Sequence, residues 1–228
     1  IEPDGTCERV ISPREHPGNW LRSEADTRSL AIRQTFLDRP HQEHAELHIE
    51  RIGDDGSPPE PLTPEELYLS LLHAGFYVKG VAEIGARWAT RQAQWPNQFT
   101  DEAEDDRTDK FKDPQITWHQ AYFDIDEDEA LVVEVMPPDC EYWMIALHNH
   151  WMETLDYVHH QATLNCHSAQ VEADGSVRFV VAQRDPGVPN WLDTAGHRHG
   201  TVGVRWVGPD VVDVLPSTRV VPLASLAR

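Results

Sequence analysis

Residues 142–168, YWMIALHNHWMETLDYVHHQATLNCHS, and residues 177–206, VRFVVAQRDPGVPNWLDTAGHRHGTVGVRW, carry the pattern that decides the fold. Short apolar runs rich in valine, isoleucine and aromatic residues alternate here with turns rich in proline, glycine, asparagine and aspartate. This alternation is typical of β-strands joined by loops. Seven of the chain's thirteen histidines also fall in these two stretches. Titratable side chains concentrated in the loops of a β scaffold are typical of a binding or catalytic site.

The strand pattern extends over most of the C-terminal half of the chain. We predict strands at residues 116–123, 130–135, 142–147, 157–164, 177–182 and 201–207. Many short strands separated by turn residues favour a mainly β fold, a jelly-roll-like β-sandwich whose pocket region spans about residues 116–222. Two further strands are predicted at residues 29–37 and 45–52, where polar and apolar residues alternate.

One long helix precedes this region, at about residues 63–95. Thr63 is a suitable N-cap, Pro64 suits the first helical position, and Glu66 completes a capping box. Apolar residues recur with helical period until Trp88, and Gly75 and Gly80 are places where the helix could break in two. The charged block at residues 101–113 is interpreted as a mobile connector.

Composition and charge restrict the class of protein. The chain has 228 residues, enough for a single domain over residues 1–228, and a formal net charge of −20. This charge argues against nucleic acid and against an anionic membrane surface as partners, and no apolar run reaches the roughly 18 residues of a membrane span. The three cysteines have no zinc-type spacing and fit reduced thiols, which favours a soluble cytoplasmic protein.

The chain begins at Ile1 rather than at methionine, and we interpret it as the C-terminal part of a longer protein. If so, it should expose apolar surface that another part of the protein normally covers. The expected partner is then either a second copy, in a homo-oligomer, or the missing N-terminal segment.

Two carboxylates and a histidine are the candidate catalytic residues. Glu153 and Asp156 lie three residues apart, and neighbouring carboxylates with split pKa values can serve as acid and base. With His197 as a proton shuttle, the set fits acid–base chemistry of the hydrolase or lyase type. Whether the protein is an enzyme stays open at this point, because the same carboxylates could simply cap turns.

The candidate substrate-binding residues lie in the same two stretches of sequence. The loop at residues 185–193 contains two prolines and a glycine, which make it rigid and lower the entropy cost of holding side chains in place. The expected ligand is a small polar organic molecule in a cavity of roughly 300–1,000 Å³. The alternative is a non-catalytic binding or assembly module, in which Trp191 closes the end of the fold and Asp193 caps a turn. The predicted binding residues are Asn149, Trp151, Tyr157, Asn190, Trp191 and Asp193.

A metal site is the second alternative. His148 and His150 share one face if the segment is extended, so both imidazoles could bind one ion, with Glu153 supplying an oxygen, as in cupin-type proteins. However, Glu153 comes too soon after the histidines, and the second, glycine-framed cupin motif is missing. Histidines that hydrogen-bond around a wet pocket or lie on a solvent face are the favoured interpretation of the pattern. The sequence therefore requires no cofactor and leaves a divalent metal open.

Several of these segments together resemble a bacterial family known as domain of unknown function 1214. The resemblance implies a β jelly-roll-like fold and members with further N-terminal residues, and it implies no reaction. His148, His150 and His199 depart from the family's pattern, so the resemblance gives them no metal role. The matching segments cover roughly residues 2–222 and are GFYVKGVAEIGARW (75–88), YFDIDEDEALVVEV (122–135), the NxWMETLDY stretch (149–157), DPGVPNWLDTAGHRHG (185–200) and LPSTR (215–219).

Overall fold

A computed structural model describes residues 2, 4–54, 56–58, 60–100, 115–211 and 214–226. The chain divides into two compact units, residues 1–36 and residues 37–228. The first unit contains two three-residue strands, β1 (Val10–Ser12) and β2 (Trp20–Arg22), paired in parallel. Within it, the indole Nε1 of Trp20 donates to the Ser12 carbonyl oxygen (3.0 Å).

The second unit begins its regular structure with the helix α1 (Pro64–Gln92). Its capping box is formed as predicted: the Glu66 amide donates to Thr63 Oγ1 (3.2 Å), and the Thr63 amide donates to Glu66 Oε2 (2.8 Å). The helix is continuous through Gly75 and Gly80. Ala89 and Gln92, in its last turns, are the buried residues of the helix.

Two four-stranded sheets follow α1 in the chain. The first sheet has the order β10 (Ser217–Pro222), β4 (Glu129–Val135), β7 (Val177–Ala182), β8 (Trp191–Asp193). The second has the order β3 (Ile116–Asp124), β9 (His199–Val207), β5 (Tyr142–His148), β6 (Thr163–Asn165). All neighbours are antiparallel except β7 and β8.

The main apolar core draws side chains from both sheets. Trp206, Phe123 and Phe179 are its largest fully buried members, and Trp143 meets Phe179 edge to face with ring centroids 6.0 Å apart. A second, smaller cluster around Val132 and Val180 lies on the opposite face of the first sheet. Both faces of β4 and β7 are therefore buried, which explains their nearly continuous apolar sequences. The described part of the chain has more residues in strands than in helices, so the prediction of a mainly β fold is confirmed.

The strands predicted at residues 29–37 and 45–52 were wrong, because these residues form no strand. Their side chains alternate in the way strands require, yet no neighbouring strand supplies the backbone hydrogen bonds that would hold them extended in a sheet. Residues 157–160 of a third predicted strand instead form a turn and a bend, residues 161–162 are irregular, and the sheet strand here is Thr163–Asn165. The strand β8 was predicted as loop, and β10 was not predicted at all.

Two further sequence expectations concern residues outside the sheets. The charged connector at residues 101–113 lies outside the described residues. Among the residues that are described, no helix combines the length and the apolar character needed to cross a membrane.

Candidate functional site

Asn149 and Glu153 organise the loop that follows β5. Asn149 Oδ1 accepts hydrogen bonds from the Trp151 amide (2.9 Å) and the Glu153 amide (3.0 Å), and its Nδ2 donates to Glu153 Oε2 (2.6 Å). Met152, inside the loop, has a φ of 61°. Asn149 thus shapes the loop, and Glu153 is an exposed carboxylate held by it.

Asp156 caps the next turn. Its Oδ1 accepts from the amides of Val158 (3.1 Å) and His159 (3.2 Å), and its Oδ2 lies 2.8 Å from His159 Nδ1. The hydrogen bond from the His159 side chain holds the pKa of Asp156 below its usual value, with help from the two amides. Asp156 is therefore ionised at neutral pH and has no proton to donate as a general acid.

The side chains of Asn190 and Trp191 make hydrogen bonds to the protein backbone. Asn190 has a φ of 56°; its Oδ1 accepts from the Gln170 amide (2.7 Å), and its Nδ2 donates to the carbonyls of Gln170 (2.7 Å) and Arg178 (3.0 Å). Trp191 Nε1 donates to the Ala182 carbonyl (3.1 Å), while its ring packs on the second apolar cluster. The polar atoms of both side chains are thus engaged with the protein backbone.

The other candidates near these loops are exposed. His197 Nδ1 lies 2.9 Å from the Thr194 carbonyl oxygen. The Arg39 guanidinium lies over the Tyr157 ring, 5.2 Å from its centroid, and the Trp151 side chain is 58% exposed. No contact between Glu153, Asp156 and His197 accompanies these interactions in the described part of the chain, so their joint role stays a prediction.

One pair does bring the two sequence stretches together: His160 and Asp193, which are 33 positions apart. His160 Nδ1 lies 2.7 Å from Asp193 Oδ2, and the Asp193 amide donates to the Gln161 carbonyl (2.9 Å). The hydrogen bond that His160 donates to the Asp193 carboxylate raises the pKa of His160 above its ordinary 6.5, and the charges of Asp193 and Asp156 add to this effect. The pair fastens the loop after Asp156 to β8.

We expect the His160 imidazole to titrate above pH 6.5 in the native protein and to return towards 6.5 in Asp193→Asn, because the variant removes the carboxylate that favours the imidazolium. The raised pKa means that the pair stabilises the fold at acidic pH, and that this stabilisation is lost as the pH rises through the folded-state pKa. An NMR titration of the ring protons measures the shift. Asp185→Asn is the control, since Asp185 accepts from the Gly187 amide and has no contact with His160. Equal His160 pKa values in the native protein and in Asp193→Asn would contradict the assignment.

The two histidines proposed as metal ligands, His148 and His150, differ in their position in the fold and in their contacts. His148 ends β5 and is largely buried; burial, together with the positive charge of Arg205, lowers its pKa to about 4. His150 lies in the following turn, where its Nδ1 is 3.1 Å from the Tyr122 hydroxyl. Its ring also makes edge contacts with Tyr122, Trp151 and His199 at centroid distances of 5.2–6.2 Å. Among the described residues, no three or more His, Cys, Asp and Glu side chains are grouped so that they could hold a metal ion.

A different set of side chains comes together on the face of the second sheet opposite the core. Strand register aligns them in three rows across β3, β9 and β5, and side chains two apart on a strand share a face. We call these nine residues the polar face. The rows are Trp118, Arg205 and Met144; Gln120, Gly203 and Ala146; and Tyr122, Thr201 and His148.

Gly203, at the centre of the polar face, allows the Trp118 indole to lie across β9. A Cβ atom at Gly203 would lie 2.6 Å from Trp118 Nε1 and 3.7 Å from the His148 ring. The Arg205 guanidinium stacks over the Trp118 ring, 5.6 Å from its centroid. Tyr122 is stacked on His199 at the other end, with ring centroids 6.1 Å apart.

The last turns of α1 cover one side of the polar face. Trp88 meets Trp118 edge to face at 6.2 Å, and Gln92 Nε2 donates to Gln120 Oε1 (2.8 Å). Gly85 allows close approach of the loop after β5, because a Cβ there would lie only 2.6 Å from the Trp151 carbonyl oxygen. The polar face is therefore sheltered by the helix.

Four buried polar atoms of this region have no hydrogen-bond partner among the described residues: His148 Nδ1, Thr201 Oγ1, Gln120 Nε2 and Gln92 Oε1. Only two further atoms of this kind occur among the described residues, Arg178 Nε and Thr194 Oγ1. Buried polar atoms are nearly always hydrogen-bonded in native proteins, and exceptions point to a bound water or ligand. The exceptions here are concentrated at the polar face.

An open cleft of about 530 Å³ lies elsewhere in this unit, between residues 96–99 and residues 216–220. Two of its lining side chains already have partners: Thr218 Oγ1 donates to the Asn97 carbonyl (2.6 Å), and Arg219 forms a two-pronged ion pair with Glu134 of β4. None of the predicted catalytic or binding residues lines this cleft.

The chain is similar over its whole length to one solved structure, an uncharacterised protein from Burkholderia cenocepacia. The two sequences are 43% identical, and the structures superpose with a TM-score of 0.90 over 99% of this chain and 62% of the Burkholderia chain. This chain thus spans less than two thirds of the Burkholderia protein. A structure from Vibrio parahaemolyticus matches at 15% identity and a TM-score of 0.42, over 72% of this chain and 47% of its own, which is too remote to support an argument. No protein-family model and no curated protein matches the chain.

Proposed function

We propose that this protein binds a small polar organic molecule at the polar face of the second sheet. The observation that carries the proposal is that, among the described residues, three polar-face side chains and the adjacent Gln92 of α1 each have a buried polar atom without a hydrogen-bond partner. A bound molecule with hydroxyl, amide or carboxyl groups would satisfy them, because the set includes hydrogen-bond donors and acceptors.

The side chains around these atoms suit such a ligand. Trp118 is half-buried and offers aromatic surface, which binds the apolar faces of sugars and of planar molecules. The positive charge of Arg205 is adjacent, so a carboxylate on the ligand would be favoured. Three rows on three strands span about 10 Å by 13 Å, from the usual spacing of strands and of residues along a strand, and this matches a molecule of one or two rings.

The wider proposal places this site in a jelly-roll-like β-sandwich of the domain of unknown function 1214 type. A core shared between two four-stranded sheets supports a sandwich. The three cysteines are free, which supports a reducing, cytoplasmic location.

A binding role draws more support than acid–base catalysis by Glu153, Asp156 and His197. Asp156 is committed to capping a turn, and Glu153 is held by Asn149 on the surface. Strongly shifted pKa values mark many catalytic groups, and the only large shift among the described residues belongs to His148 of the polar face. His148 stays neutral at neutral pH because its pKa is lowered to about 4, so it accepts a proton only weakly there and gives a hydrolase- or lyase-type reaction no strong general base.

Thermal denaturation with a panel of small molecules tests the proposal. The probes are glucose, xylitol, tartrate and citrate, each at 10 mM, a concentration on the order of 100 times a dissociation constant of about 0.1 mM. We expect at least one to raise the Tm by roughly 5–10 °C, since such binding stabilises the fold by about 2.7 kcal/mol. The same probe should have little effect on Gly203→Ala, in which the new methyl group displaces Trp118.

Gly75→Ala is the matched control. It makes the same substitution in α1, where a Cβ would have no neighbour within 4 Å, so it should keep the full response to the probe. If no probe shifts the Tm of the native protein, or if the shift is unchanged in Gly203→Ala, the proposal fails.

A further inference from the structure

The first five turns of α1 are apolar on every side. At 100° per residue, Leu67, Leu71 and Val78 lie on one side of the helix and Leu69 and Phe76 on the opposite side. Four other apolar side chains fill the directions between them. All of these side chains are exposed, the four being Tyr68, Leu72, Tyr77 and Val81.

Such a surface is abnormal for a protein in water. Tyr77 is 73% exposed and Val78 is 68% exposed. A helix that is apolar all round is normally buried, either in a protein core or in a membrane. α1 has 29 residues but is not apolar enough for a membrane crossing. A protein core buries such a helix against other polypeptide.

The distribution of the apolar residues around α1 indicates what kind of structure could bury them. Two helices that pair along one seam bury a stripe roughly 100° wide on each, and the remaining surface stays in water. Pairing with α1 of a second copy would therefore leave most of the exposed side chains uncovered. The cover must surround the helix, as the interior of a larger domain does.

The distribution of charged residues along α1 also indicates that apolar polypeptide surrounds the helix. Over residues 64–83, α1 carries Glu65 and Glu66 at its N-terminus, and then only Lys79 and Glu83, which pair with each other at 3.6 Å. Between Glu66 and Lys79 there is no charged residue. This uncharged part of α1 is therefore suited to pack against an apolar polypeptide surface.

The Burkholderia protein contains polypeptide that could form this cover. This chain matches 62% of it with a TM-score of 0.90, which leaves 38% without a counterpart. We propose that the first five turns of α1 are the central helix of a second core, and that polypeptide equivalent to this unmatched 38% encloses them.

A neighbouring segment points to the same missing structure. Residues 45–52 keep the alternation of a strand without forming one, and Leu47, Ile49 and Ile52 are 61–83% exposed. Such a segment is suited to pair with a strand that other polypeptide provides.

Hydrogen exchange of two full chains, this one and the Burkholderia protein, tests the proposal. In this chain we expect the amides of the first five turns of α1 to exchange at least about 100-fold faster than those beside Trp88 and Gln92, which are held against the second sheet. In the Burkholderia protein we expect the matching helix to be protected along its whole length. Gel filtration with light scattering at several protein concentrations is run in parallel.

Three results would overturn the proposal. The first is full protection of α1 in a monomer of this chain, which would mean that no cover is needed. The second is protection that appears only as the chain dimerises, which would make a second copy the cover. The third is an equally unprotected matching helix in the Burkholderia protein.

Discussion

Gly200→Ala is expected to destabilise the fold by about 3 kcal/mol, because the new methyl group has no space that neighbouring atoms can yield. A Cβ at this position would lie 2.3 Å from the His148 carbonyl oxygen and 2.9 Å from the Phe123 ring. The carbonyl belongs to the backbone at the end of β5, and Phe123 is fully buried in the main core. To relieve the contact, β9 and β5 must separate where the polar face ends.

Gly203→Ala is the control for this prediction, since it places the same methyl group three residues further along β9. There the closest atom belongs to the side chain of Trp118, which is half-buried and can rotate, so we expect a cost of about 1 kcal/mol. Urea denaturation of both variants measures the difference. Similar free energies of unfolding for the two would show that β9 does not approach β5 as closely as described.

The parts of the fold that could be predicted from the sequence are those with local causes. The α1 capping box is formed by residues three apart, and the cap and the helical period therefore specified the helix without knowledge of the rest. The strands β4 and β7 could be recognised because both of their faces are buried, which requires long apolar runs.

The errors in strand prediction have a common cause. Residues 45–52 have the alternation of a strand, but pairing depends on a neighbour that the segment itself does not encode. Conversely, β8 has only three residues and lies in a loop rich in proline, so its pairing with β7 left no periodic signal.

The candidate site was predicted in the loops, and the structure shows that three of the predicted residues make hydrogen bonds that shape those loops. Asn149, Asp156 and Asn190 are polar residues at turns, and all three are engaged in turn or backbone hydrogen bonds. The polar face instead brings together residues from β3, β5 and β9, and their proximity depends on strand register. A usable signal was present in β3, where Trp118, Gln120 and Tyr122 alternate with the core-facing residues.

His148→Gln is expected to make the fold less sensitive to acid than the native protein. Burial, with repulsion from Arg205, lowers the pKa of His148 from 6.5 to about 4 in the folded protein. The unfolded chain therefore binds a proton first as the pH falls. The neutral imidazole contributes its full stabilisation above pH 6.5 and loses it progressively between pH 6.5 and 4. The loss over that interval amounts to about 3 kcal/mol, at 1.36 kcal/mol for each unit of pKa.

Urea denaturation at pH 7.5, 6, 5 and 4.5 measures this effect as the difference between the two proteins. Glutamine is uncharged at every pH, so the variant should lack the contribution of His148 and keep that of every other group, such as Glu134, whose pKa is lowered by Arg219. His167→Gln removes an exposed histidine and serves as the control, which should follow the native protein. Parallel stability curves for His148→Gln and the native protein would mean that His148 is not a buried neutral imidazole.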